Sequence, residues 1–101
     1  MSFGYRLSRR ASREFDAIVD YRRRVAGDLS AQRLEADLIG AFGLVASQPT
    51  IGPRRPDLTP RPYRFCFKRG YWVVYRLRGA PAPPVIVAII DARRHVARLL
   101  R

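Results

Sequence analysis

Val85 to Ile90, VIVAII, is an unbroken run of apolar, mostly β-branched side chains. Successive side chains of a strand point to opposite faces, so such a run has no face it can give to water. It predicts a central strand covered on both sides, with helices packed on one of them. A chain of 101 residues, 48% hydrophobic, can build that arrangement once, as a single domain over residues 1–101.

Two further strands precede the run. Tyr63, Phe65 and Phe67 alternate with Arg64, Cys66 and Lys68; after Arg69-Gly70, Tyr71, Val73, Tyr75 and Leu77 alternate with Trp72, Val74, Arg76 and Arg78. This two-residue period around a glycine reads as an antiparallel hairpin. Near the start, Phe3, Tyr5 and Leu7 have the same period and predict a short first strand. Ser8 can cap a helix in which Phe15, Ile18, Val19 and Val25 recur at helical spacing until Gly27. Asp28 or Ser30 can cap a second helix carrying Leu34, Leu38, Phe42 and Val45, which Pro49 ends. Helices joined this tightly form an antiparallel hairpin. Gly40 and Gly43 each weaken the second helix by about 1 kcal/mol against alanine, and are expected to admit another backbone. The proline-rich stretch from Pro49 to Pro62 is a connector without regular structure. The fold class is therefore α+β, with an N-terminal strand and a two-helix hairpin packed on a small antiparallel sheet, followed by the basic tail RRHVARLLR.

The formal charge of +12 is carried almost wholly by arginine, which suits carboxylates, phosphates or nucleic acid. Residues 1–50 hold eight basic and six acidic side chains, whereas residues 51–101 hold twelve basic ones against Asp57 and Asp91. Arg64, Lys68, Arg76 and Arg78, with Arg93, Arg94, Arg98 and Arg101, are expected to make one positive surface. The competing reading is solvated charge that keeps an edge strand from aggregating. The five rings Tyr63, Phe65, Phe67, Tyr71 and Tyr75 read as core and cross-strand packing rather than platforms for bases.

The single Cys66 excludes an internal disulfide framework and a Cys-based zinc site, reads as a buried filler, and points to a reducing cytoplasm. The opening MSFGYRLSRRAS lacks the apolar core of a signal peptide, and no apolar run approaches the roughly 18 residues of a membrane span. His95 is the only histidine, few carboxylates lie outside the helices, and no glycine-rich phosphate loop occurs. Hydrolytic triads, metal sites and nucleotide chemistry thus have few builders, and no cofactor or metal is expected. His95 is either a general acid or base beside arginines or a plain surface residue.

Four stretches together carry a family likeness: SRRASREFDAIVDY with Ser8, Ala11, Phe15, Ile18 and Tyr21; SQPTIGPRRPDL with Pro49 and Gly52; RPYRFCFKRGYWVVYR with Arg64, Tyr71 and Tyr75; and VIVAIIDARRHVARLL. In order and spacing, over essentially the whole length, the chain resembles the RelE/ParE toxins of bacterial type II toxin-antitoxin systems, and more closely the ParE branch. Glu14 stands where an aspartate is usual. The resemblance implies two N-terminal helices on an antiparallel sheet, with the first strand beside the last.

RelE-like members cut messenger RNA in the ribosome with a basic cluster and a tyrosine or histidine; ParE-like members lack that cluster and poison DNA gyrase. Here Trp72 stands where the nucleases tend to carry arginine, and no tyrosine follows Tyr75. The resemblance therefore implies a non-enzymatic toxin that inhibits growth through gyrase and stabilises plasmids. An acidic ParD-like antitoxin would neutralise it in a hetero-oligomer. Implied target-binding residues are Arg64, Arg76, Arg93, Arg94, His95 and Arg98; implied antitoxin-binding residues are Phe15, Tyr21, Tyr63, Phe65 and Tyr75. One hairpin face of rings would hold the sheet to the helices and the antitoxin, and the other face of cations would meet the target. The alternative, a ribosome-dependent messenger RNA endonuclease, would use Arg64, Lys68, Arg93, Arg94 and His95 as catalytic residues. Asp91 and His95 stand as if exchanged relative to ParE-like tails, which keeps a non-toxic binding module of the same fold as a third reading. A generic basic nucleic-acid binder is the last.

Overall fold

Ser8 begins the helical part of the chain. Its backbone is extended, its Oγ accepts the Ala11 N–H at 3.0 Å, and the same hydroxyl donates to the Val87 carbonyl at 3.0 Å. One residue thus caps a helix and ties it to the sheet. The computed structural model describes residues 4–101; Phe3, assigned above to the first strand, lies outside the described residues. The elements are β1 (Arg6–Leu7), α1 (Arg9–Ser47), β2 (Arg64–Lys68), β3 (Tyr71–Arg76), β4 (Val85–Asp91) and α2 (Val96–Leu99).

α1 is two limbs, 9–26 and 28–47, broken at Gly27, whose φ of 87° is cheap only for glycine. A straight helix would hold Phe15 and Phe42 about 40 Å apart. Their ring centroids are 5.6 Å apart, so the limbs fold back as the predicted hairpin. Gly40 and Gly43 do not admit another backbone: both are exposed, and a Cβ on either would meet nothing within 4 Å. Helical periodicity reports their face but not what covers it.

The sheet order is β1-β4-β3-β2. β2, β3 and β4 are antiparallel, and β1 adds to the edge of β4 in parallel, Arg6 opposite Val85 and Leu7 opposite Ile86. Between Val74 opposite Ala88 and Tyr75 opposite Ile86 the register shifts. Val87 is therefore the extra residue of a β-bulge, which turns it to the same side as Ala88.

Two cores flank the sheet. Against the helical limbs lie Cys66, Tyr71, Val73, Tyr75, Ile86 and Ile89, packed with Ala11, Leu34, Leu38, Ala41, Phe42 and Val45. On the other face Tyr63, Phe65, Trp72, Val74, Ala88 and Ile90 meet Leu58, Val96, Leu99 and Leu100. The tail expected to be a basic extension is thus the second cover that VIVAII requires, because Val96 and Leu100 bury themselves there while Arg98 between them faces water. The hairpin rings divide between the cores. Tyr71 and Tyr75 serve the helical one; Phe65 and Phe67 stand edge-on to Trp72, at 6.0 and 5.1 Å, on the other.

The connector is ordered by polar contacts. The Tyr75 hydroxyl accepts the Gly52 N–H at 2.9 Å and donates to the Pro49 carbonyl at 2.7 Å, inside the fold. Arg64 Nη1 donates to the Gly52 carbonyl at 2.9 Å, and Phe65 N–H to the Pro53 carbonyl at 3.0 Å. Gly52 is the glycine of close approach: a Cβ there would stand 2.6 Å from the Phe65 carbonyl oxygen. Among the described residues no helix is long and apolar enough to cross a membrane.

Candidate functional site

The N-terminal turns of α1 cross the edge of β4 beyond the short β1. Ser8 N–H donates to the Ile86 carbonyl, and Glu14 Oε1 accepts the Ile89 N–H at 3.0 Å while its other oxygen pairs with Arg10 Nε at 3.2 Å. Past Glu14 the helix and strand leave a groove of about 280 Å³, lined by Ala17, Ile18, Tyr21, Tyr71, Ile89 and Arg94, with Asp91 at its end. Tyr21 is 58% exposed, and Val25, one turn further along the same face, is 59% exposed. This is an apolar trough beside arginines, and the Arg24 guanidinium lies 5.9 Å from the Tyr21 ring centre. Of the five residues expected to bind an antitoxin, only Tyr21 lines it. Phe15 stands against Phe42 within the helical core, Tyr63 lies half-buried on the opposite sheet face, and Phe65 and Tyr75 are 1% and 0% exposed. Phe65 and Tyr75 therefore present no surface to a partner: the hairpin alternation that singled them out turns each into one of two closed cores. Ile18, Tyr71 and Ile89 were missed because each reads as core by pattern.

The cations expected to make one surface do not converge. β3 and β4 are antiparallel, so Tyr71 pairs with Asp91 at one end and Arg76 with Val85 at the other. Arg64 and Arg76 sit at the second end; Lys68, opposite Tyr71, and the Arg93-Arg94 pair sit at the first. Five residues of strand separate them by about 17 Å. The faces differ as well. Cross-strand partners share a face, which puts Arg64 and Lys68 on the helical side with Tyr75 and Tyr71, not on a cation face away from the helices. Arg64 is held on the Gly52 and Thr50 carbonyls.

Asp91 acquires a structural role. Its Oδ1 accepts the Arg93 N–H at 2.9 Å, and both its oxygens take the Arg93 guanidinium, at 3.0 and 2.7 Å. This side-chain turn ends β4. The Arg93 hydrogen bonds hold the Asp91 carboxyl below the usual carboxylate range. The residue that departs from the expected tail pattern thus has a local role in ending the strand. His95 is exposed and precedes α2 without a side-chain capping bond. It lines a second pocket with Trp72, Leu58, Arg94 and Arg55; the Arg55 guanidinium lies 5.8 Å from the Trp72 ring centre and pairs with Asp57 at 2.8 Å. Hydrogen bonding to Arg55 holds the Asp57 carboxyl below its usual range. Sequence reasoning passed over Arg55, whose only signal was its place in a proline-rich connector. Arg94 lines both the groove and this pocket.

The result is a small basic α+β domain with an apolar trough and a second pocket at one end of its sheet; of the expected nuclease groups, Arg64 stands at the other end, apart from Lys68, Arg93, Arg94 and His95. The family described as the ParE toxin of the type II toxin-antitoxin system, parDE, matches residues 5–96, and the chain belongs to that family. A solved structure described as the chromosomal ParDE TA system from P. aeruginosa is similar in fold, with a TM-score of 0.73 at 20% identity, covering 89% of this chain and 98% of that one. No curated protein matches the chain.

Proposed function

We propose that the chain acts in the cytoplasm as a growth-inhibiting toxin that poisons DNA gyrase and is silenced in a hetero-oligomer by an acidic ParD-like antitoxin. The observation that carries the choice of target is the dispersal of the residues a messenger RNA endonuclease would need. Arg64 is fixed on backbone carbonyls on the helical side, Lys68 stands about 13 Å along the same strand, Arg93 is clamped by Asp91, and His95 opens onto the other face. In-line attack by a ribose hydroxyl requires a base and cations around one phosphate. A poison needs only a surface, and the exposed Arg94, His95 and Arg98 are the residues assigned to it.

Antitoxin docking is assigned to the trough of Ile18, Tyr21, Tyr71 and Ile89. Its apolar floor and flanking Arg94 and Arg24 suit an amphipathic, acidic segment that orders on binding. The test is a paired assay of the purified chain. Gyrase-dependent cleavage of supercoiled plasmid, with intact messenger RNA in a translating extract, is expected. Cut messenger RNA and unaffected gyrase would reverse the assignment.

A further inference from the structure

The end of the sheet opposite the Arg93-Arg94 pair carries a second, separate cationic site. Arg6 of β1 and Arg76 of β3 are both paired in register with Val85 of β4, so the three lie in one row across the sheet. Leu7, Tyr75 and Ile86, the neighbours of these three, pack on the helical core; Arg6, Val85 and Arg76 therefore face the other way. The two arginines stand about 10 Å apart, two strand spacings. Two residues further along β4, at Val87, is a pocket lined by Arg10, Arg61, Tyr63 and Arg101.

Arg6, Arg61 and Arg76 are exposed, and among the described residues none pairs with a carboxylate. The acids nearest in sequence are taken: Asp57 pairs with Arg55, and Glu14 is occupied by Arg10 and the Ile89 amide. Arg6 of β1, Arg76 of β3 and Arg61 of the connector thus stand exposed without counter-charge. We propose that Arg6, Arg61 and Arg76 form a phosphodiester-binding site that holds the backbone of duplex DNA.

The surroundings favour DNA over an acidic protein segment. An amphipathic segment needs an apolar anchor, and Leu77, the exposed apolar residue next to Arg76, lies with Ala46 and Pro49 at the helical side. Unpaired bases need rings to stack on, and the ring at this end, Tyr63, is half-buried against the second core. An exposed group of guanidinia with neither feature reads charge and spacing, which duplex phosphates supply densely. None of these residues belongs to the trough or to the His95 pocket. The site does not depend on what machine the chain inhibits.

The test is fluorescence anisotropy of a labelled duplex of arbitrary sequence with the full-length chain over a salt series. The triple variant R6Q/R61Q/R76Q is compared with R22Q/R23Q/R33Q, which removes the same charge from the helical hairpin. Three lost phosphate contacts should flatten the slope of log K against log salt by about 2.7. The site variant should also weaken low-salt binding at least 30-fold, with the control within threefold of wild type. The single variant R76Q, expected to reduce the slope by about 0.9, covers the case in which the triple variant does not fold. Equal losses in the two triple variants, absence of wild-type binding, or tighter binding of polyglutamate through the same three arginines would each overturn the assignment.

Discussion

Replacing Tyr75 by phenylalanine would remove one oxygen and leave the ring in place. Among the described residues that oxygen is the partner of two backbone groups in the connector, the Gly52 N–H at 2.9 Å and the Pro49 carbonyl at 2.7 Å. Gly52 is buried, so its amide would lose its acceptor out of reach of water, at about 1–3 kcal/mol; the half-buried Pro49 carbonyl adds about 0.5–1.5 kcal/mol. The central figure is about 3 kcal/mol, which in a domain of this size lowers Tm by roughly 12–24 °C. Circular dichroism melting measures it, and amide exchange at Gly52 locates it. A pH series separates hydroxyl from ring. Burial holds the Tyr75 phenol above its ordinary value, against smaller lowering effects of Gly52 and Arg64. A group raised on folding contributes stability fully present below its unfolded value and lost as pH climbs through the folded one. The wild type should therefore lose stability above the ordinary phenol range more steeply than Tyr75→Phe. A variant melting within about 3 °C of wild type, with the same alkaline profile, would refute the latch.

Gly52→Ala places a methyl against the Phe65 carbonyl and should lower the urea midpoint by the equivalent of about 2–3 kcal/mol without changing the slope. Tyr21→Ala, at a residue 58% exposed, should leave Tm within about 2 °C of wild type yet raise the Kd for the antitoxin about 10–30-fold in calorimetry. Asp91→Asn removes a carboxylate whose value is depressed by Arg93. The wild type should be the more stable at neutral pH, and the difference should close as pH falls through the depressed folded value in acid melting.

Much of the architecture was legible because it rests on local patterns. VIVAII forced a doubly covered strand, Ser8 and Gly27 marked where the helical hairpin starts and turns, and the alternation from Tyr63 to Arg76 set two strands and their inward faces. The site was less legible because it depends on register. Nothing local to Arg76 or Arg93 says that an antiparallel pairing sends them to opposite ends, or that a bulge at Val87 lets two successive residues face one side. The trough escaped notice for a different reason. Ile18, Tyr71 and Ile89 have core-like spacing, and only the shortness of β1 leaves that edge of β4 open. Arg55 and the Tyr75 hydroxyl act across 17 and 23 positions of sequence, distances at which single-chain periodicity carries no signal.

The parallel pairing of β1 with β4 has a consequence for how the protein comes into being. Ser8 bonds Val87 across 79 positions, so the sheet that carries every surface described above cannot close until β4 has been synthesised. On a ribosome the helical hairpin, whose contacts are local, can form early, while its apolar face waits for strands not yet made. Any activity that needs the assembled sheet is withheld until β4 has emerged, and a nascent chain offers a partner the helical half of the trough before the strand half exists.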